Sequence, residues 1–281
     1  MILAVENWFL IIIGLIWIVV AVMQDFKRRE VDNIWNFSLI GFALAYRFAF
    51  SAYSGNYWFI INGLLGFGIF LFLGNLFYYS RLFAGGDAKL LIALGAILPL
   101  SYDWIINFEI FGLFLVLFLA LGSVYALIWA FFLVGINWDG FKNEFAVQWK
   151  NYKKMFLIAV IFVIIWIVFV FAISQISFLF IGLIVLLFPI LFMFAKAVEE
   201  SCMIKKVSPK KVTEGDWLYR DIVVKGKRIK ANWEGVSKKE LRWIKKHGRR
   251  KILIKQGIPF TPSFLLAFIA LIILSWKFGI L

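Results

Sequence analysis

Eight apolar stretches, most of them near the length that crosses a lipid bilayer, dominate this chain. They cover residues 8–23, 34–53, 57–79, 88–100, 107–136, 155–174, 176–197 and 258–276. A hydrocarbon core about 30 Å thick takes roughly 20 residues of helix, and lipid offers no partner to a bare backbone, so each stretch is expected to be helical. With 63% hydrophobic residues and a mean hydropathy of +0.91, the chain is excluded from the ordinary soluble domains. The expected fold is an all-α polytopic membrane bundle of about eight transmembrane helices, with a small α+β insertion before the last. The fourth stretch is short and the fifth long, so the fourth is expected to be recessed in the bundle and the fifth tilted. The first has no basic residue before it and no small-residue cleavage site after it, and reads as a retained span rather than a signal peptide.

A net charge of +14 is compatible with nucleic acid or anionic lipid as a partner. The basic residues fall between the apolar stretches. With the N-terminus outside, Lys27, Arg28 and Arg29, then Arg81 and Lys89, then Lys142, Lys150, Lys153 and Lys154, then the stretch 196–255 share one face. Only Arg47 and Lys277 stay outside or near the outer edge. The positive-inside rule makes the basic face cytoplasmic, which favours membrane lipid and gives no case for nucleic acid.

Residues 1–197 therefore read as a membrane bundle, 198–257 as a basic cytoplasmic domain and 258–281 as a last transmembrane helix. Within the basic segment, 221–224 and 227–230 flank Lys225-Gly226 like a hairpin, and Ser237 to Glu240 has capping-box spacing, with Gly248 ending the helix. Lys245, Lys246, Arg249, Arg250 and Lys251 form a cluster suited to anionic headgroups. Gly41 with Ala45 and Gly122 with Ala126 are hints of close helix packing.

A single histidine, His247, rules out a two-histidine zinc motif, and a single cysteine, Cys202, rules out a multi-cysteine one. Carboxylates are scarce enough for position to discriminate. Asp25 closes the first apolar stretch and Asp87 opens the fourth, which sets both at a similar depth on the basic face. Two such acids can share a proton, as aspartic peptidases require, with neither metal nor cofactor. The same placement also fits helix-end carboxylates, or ion-coupling acids of a transporter or channel, or a membrane scaffold indifferent to both acids. Asp32, Asp103, Glu109 and Asp139 are expected to be dispensable for chemistry.

Ala84-Gly85-Gly86-Asp87-Ala88-Lys89 sets two glycines before the second acid. Met23-Gln24-Asp25 followed by Lys27-Arg28-Arg29 and Asn33 surrounds the first. Together these resemble the G-x-G-D aspartic peptidases, specifically the type IV prepilin peptidase family and its archaeal preflagellin branch. The resemblance implies Asp25 and Asp87 as catalytic acids, with Gly85, Gly86, Lys89 and Asn33 supporting the motif. It implies removal of short basic leaders from archaellin-like or pilin-like precursors at the cytoplasmic membrane edge. Ala84 stands where the first glycine of the pattern would be, and Asp32 where proline often precedes the asparagine. Gly257-Ile258-Pro259-Phe260-Thr261-Pro262 is similar to the family's proline-bearing segment, which implies that Pro259 and Phe260 border a substrate groove. Bacterial relatives that also methylate the new terminus carry a multi-cysteine insertion, so no N-methyltransferase activity is expected. A presenilin-like intramembrane protease shares the Gly-Asp element and is the neighbouring alternative.

Overall fold

The computed structural model describes residues 5–278. The chain divides into two compact units, Met1–Leu127 with Pro259–Leu281, and Ile128–Ile258. Among the described residues, five helices are long and apolar enough to cross a membrane: Glu6–Arg28, Trp58–Tyr79, Trp104–Ile136, Trp138–Ala172 and Ile176–Ser201. Their large apolar side chains remain widely exposed, among them Ile16, Phe72, Ile128, Ile165 and Phe188. Such an apolar surface fits a multi-pass membrane protein.

The first unit holds α1 (Val5–Arg28), α2 (Asn33–Ser54), α3 (Trp58–Tyr79), α4 (Gly85–Gly95), most of α5 (Trp104–Ile136) and α9 (Thr261–Phe278). Its core includes Leu10, Ile18, Leu39, Phe70, Leu94, Phe114, Phe118 and Phe268. Helices α1 and α2 are joined by stacked Trp17 and Trp35, 4.8 Å apart. Both indoles are satisfied: Trp35 Nε1 donates to the Trp17 carbonyl at 3.0 Å and Trp17 Nε1 to Ser38 Oγ at 3.1 Å.

Helix α4 corrects the helical extent expected of the fourth stretch, residues 88–100. It has 11 residues, a rise of about 16 Å that covers half of a hydrocarbon core. Gly95 closes it and Pro99 prevents resumption. Even so, the segment runs the length of α1. At one end Lys89 Nζ donates to Asn33 Oδ1 at 2.6 Å. At the other Asn7 Nδ2 donates to the Leu100 carbonyl at 2.6 Å, and the Tyr102 hydroxyl to Glu6 at 2.9 Å.

Non-helical backbone at membrane depth survives only where protein satisfies it, and here a buried arginine does so. Arg47 of α2 is 0% exposed. Its Nε donates to the Ala96 carbonyl at 2.9 Å, Nη1 to Phe59 at 3.0 Å, and Nη2 to Ile97 at 3.1 Å and Pro99 at 2.6 Å. Its guanidinium carbon also lies 4.6 Å from the Phe59 ring centroid. Arg47, which charge counting leaves as a stray near the outer edge, is thus the C-terminal cap of the broken helix. Gly63 leaves the room its side chain occupies.

Close packing of α3 on α4 also depends on glycine: a Cβ on Gly95 would stand 2.8 Å from the Gly66 carbonyl oxygen, and one on Gly74 3.0 Å from that of Ala88. Of the glycines picked out from sequence, Gly41 faces open space, whereas a Cβ on Gly122 would meet Phe260 and Ser263 of the α9 segment at 3.2 and 3.3 Å.

The second unit contains the end of α5, α6 (Trp138–Ala172), α7 (Leu179–Ser201) and a small α/β body. Helix α6 takes in the basic stretch that reads as a loop in sequence. Its 35 residues rise about 52 Å, so it extends well beyond a bilayer core. In the α/β body, β1 (Ile204–Val207), β5 (Ile252–Lys255) and β2 (Trp217–Leu218) form an antiparallel sheet in the order β1-β5-β2.

Strands β3 (Ile222–Val224) and β4 (Lys227–Ile229) make the expected hairpin. Its turn has Lys225 at φ 48° and Gly226 at φ 80°, the mirror-image geometry that two-residue hairpins favour. The capping box of α8 (Lys238–His247) forms as read, and Gly248 caps its end. Val212, Leu218, Ile229, Val236, Ile244 and Ile254 build the local core. Lys255 ties the sheet to α7 through Glu199 and Glu200 at 2.8 and 3.2 Å. Burial acts to lower its pKa, but the hydrogen bonds it donates to Glu199 and Glu200, with their negative charge, more than offset that and raise it.

Candidate active site

Asp25 sits in the last turn of α1, where the helix ends through Arg29 at φ 60°, whose N–H bonds the Asp25 carbonyl at 2.8 Å. Next to it, Gln24 Oε1 accepts the Asp32 N–H at 2.9 Å, closing the turn into α2. Asp32 has φ −60° and ψ 132°, the backbone that proline would impose. Its N–H makes a bond that proline could not, so the departure from the family pattern keeps the geometry. Ala84, at φ −68° and ψ 158°, is in extended backbone open to any residue and needs no glycine.

Asp87 is partly buried in the first turn of α4. The fold sets the start of α4 against the turn that follows α1, which leaves the two acids within electrostatic reach of each other. Gly86 lies against Val31, where a Cβ would be 3.6 Å from the Val31 nitrogen, and a Cβ on Gly85 would stand 3.7 Å from Tyr78. Both are ordinary contacts, so neither glycine serves to relieve a clash within this chain. Lys89 reaches Asn33 across the same junction, joining the two motif segments.

The third contributor is the α9 entrance. Thr261 is buried and donates twice to Asp25 Oδ2, from its backbone N–H at 3.1 Å and its hydroxyl at 2.9 Å. Pro259 is buried, and Phe260 joins Phe83 and Phe118 with centroids 6.2 and 5.5 Å away. Phe83 shortly precedes Asp87 and Phe260 immediately precedes Thr261, so this aromatic cluster holds the segments of both acids. Tyr125 of α5 lies within electrostatic reach of Asp25 and Arg29. Sequence reasoning missed Thr261 and Tyr125: a threonine between two prolines and a tyrosine in an apolar helix carry no periodic signal, although Thr261 lay inside the segment already singled out. Asp103, by contrast, is exposed at the start of α5 and accepts the Ile105 N–H at 2.8 Å.

Similarity to known proteins points to the leader peptidases that the motifs resemble. Residues 12–137 match the type IV leader peptidase family. Among curated proteins, the preflagellin peptidase of Methanococcus maripaludis is 38% identical over 89 residues, and that of Methanococcus voltae 36% over 89 residues. A third, from Methanocaldococcus jannaschii, is 34% identical over 88 residues. Each match covers 31% of this chain and 37–38% of the relative, so the chain spans under two fifths of the curated relatives it matches. No solved structure matches.

Proposed function

We propose that this chain is a membrane aspartic endopeptidase that removes the short basic leader from archaellin-like or pilin-like precursors at the cytoplasmic membrane edge. The observation that supports the reading is the packing of the Asp87 segment at the start of α4 against the turn after Asp25 at the end of α1, inside the stretch that matches the leader peptidase family. In the proposed reaction Asp25 takes a proton from water as its oxygen attacks the scissile carbonyl carbon, and Asp87 gives its proton to the carbonyl oxygen. When the C–N bond breaks, the proton on Asp25 goes to the leaving nitrogen. One hydroxyl of the tetrahedral intermediate returns its proton to Asp87, leaving a carboxylic acid and a free amine. Pro259 and Phe260, at the mouth of α9, are the proposed border of the substrate groove.

The charge asymmetry supports an outside N-terminus, with the acids and the basic 198–257 domain in the cytoplasm. The segment from Gly85 to Leu100, running the length of α1 with its break capped by Arg47, supports a fourth crossing within a count of eight. The test is cleavage by the detergent-purified protein of an archaellin-type precursor, with the product N-terminus read by mass spectrometry. A new terminus between leader and hydrophobic helix is expected, without methylation; an uncut precursor in the presence of folded protein would sink the reading.

Anionic lipid is the proposed partner of the α/β body. A cleft of about 890 Å³ there is lined by Arg220, Lys225, Lys246, Arg249, Arg250 and Lys251, against the single acid Asp221. Native mass spectrometry is expected to show fewer retained acidic phospholipids after Lys246, Arg249 and Arg250 are changed to glutamine. Equal retention would exclude the cleft as the site.

A further inference from the structure

We infer that Thr261 is a positioning residue that assigns the two oxygens of Asp25 their roles. The inference rests on the dyad reading above and deepens it. Both Thr261 donors converge on Oδ2, at 3.1 and 2.9 Å. An oxygen that accepts two hydrogen bonds is occupied as an acceptor, so a proton arriving at Asp25 has Oδ1 as its place. Oδ1 is therefore the oxygen that meets the attacking water, and the carboxyl plane is fixed before substrate arrives.

The pinning comes from the start of a helix, so the exposed dipole of α9 reinforces the hydroxyl. Pro262, in the first turn, costs no helix bond there. Thr261 follows Phe260, which packs on Phe83 and Phe118. The position of Asp25 Oδ2 is thereby tied to the aromatic wall beside Asp87 and not to α1 alone. Among the described residues, Asp87 from α4 and Tyr125 from α5 lie within electrostatic reach of Asp25, and Arg29, whose N–H bonds the Asp25 carbonyl, lies in the turn after α1.

The experiment compares wild type, Thr261→Val, Thr261→Ser and Asp25→Asn on the precursor, as kcat, KM and the pH profile of kcat/KM, with thermal melting in detergent as the folding control. Valine keeps the shape and the backbone N–H but removes the hydroxyl. It is expected to lower kcat about tenfold to a hundredfold with KM little changed, because a hydrogen bond to a charged group is lost in the transition state. The acid limb of the profile, which a merely structural role would leave in place, should move to higher pH, since hydrogen bonds donated to a carboxylate favour its charged form. Serine restores the hydroxyl and is expected to restore both rate and profile.

A valine variant with wild-type kcat and profile, beside an inactive Asp25→Asn, overturns the assignment of Thr261 while the dyad stands. A serine variant as impaired as valine at an unchanged melting temperature also overturns it, because the hydroxyl is then not what matters. A wild type that leaves the precursor uncut removes the underlying reading and this inference with it.

Discussion

Asp25→Asn and Asp87→Asn are each expected to reduce precursor cleavage by at least about a thousandfold, with Asp103→Asn at wild-type rate. The magnitude follows from what each acid does: a positioned proton donor or acceptor contributes roughly 10²–10⁴, and members of a unit that act together lose nearly everything when either is removed. Asparagine keeps the shape of the carboxyl group, and its amide oxygen can still accept from Thr261, so folding should be preserved at both sites. Asp103 is a demanding control because it too lies at a helix start, but it is exposed and its carboxylate caps the local backbone at Ile105. Initial rates from a quenched, gel-resolved time course decide the matter. Cleavage by either dyad variant within tenfold of wild type would show that the acid is not catalytic. A loss in all three would point to a general charge effect.

The two acids of the proposed dyad stand out in sequence because carboxylates are rare here and these two lie at the ends of apolar stretches. The hairpin at Lys225-Gly226 and the capping box at Ser237 were legible for a different reason: their chemistry is local, written within four consecutive residues. What could not be read is long-range. The Thr261 bonds to Asp25 cross 236 positions, and nothing in the Pro259 to Pro262 segment says which oxygen they reach. The glycines that let α3 approach α4, Gly66 and Gly74, lie eight residues apart without the four-residue spacing that prompted attention to Gly41. Helix length misled in both directions. Apolar counting extends the fourth span to residue 100 because a buried, capped backbone is as apolar as a helix, and it begins the sixth at 155 because the lysines from Lys142 to Lys154 hide the helix that α6 continues through them.

The second large effect is expected at Arg47. Arg47→Met keeps the apolar stem and removes the guanidinium that serves the carbonyls of Phe59, Ala96, Ile97 and Pro99. Each orphaned carbonyl costs about 1–3 kcal/mol in a dry interior, although side-chain bonds measured within membranes average nearer 0.6 kcal/mol. Even the lower scale over four bonds gives about 2.5 kcal/mol, and partial exposure of the higher cost brings the expected loss to about 3–5 kcal/mol. A buried guanidinium is itself expensive to desolvate, so the net outcome tests whether capping outweighs that cost. The geometry favours capping, because the bonds end in three carbonyls of one broken helix and close a gap that no other described side chain is seen to fill. Arg47→Lys should fall between the two, since an ammonium has three donors but not the planar fork that spans Ala96 to Pro99. Melting of the detergent-solubilised variants measures this directly, and the cleavage assay adds the functional consequence: α4 carries Asp87 at its other end, so loosening its C-terminus should lower kcat as well. An Arg47→Met protein that melts with wild type would mean that water or lipid headgroups satisfy those carbonyls equally well, and that the broken helix is held by the glycine-lined α3 contact alone.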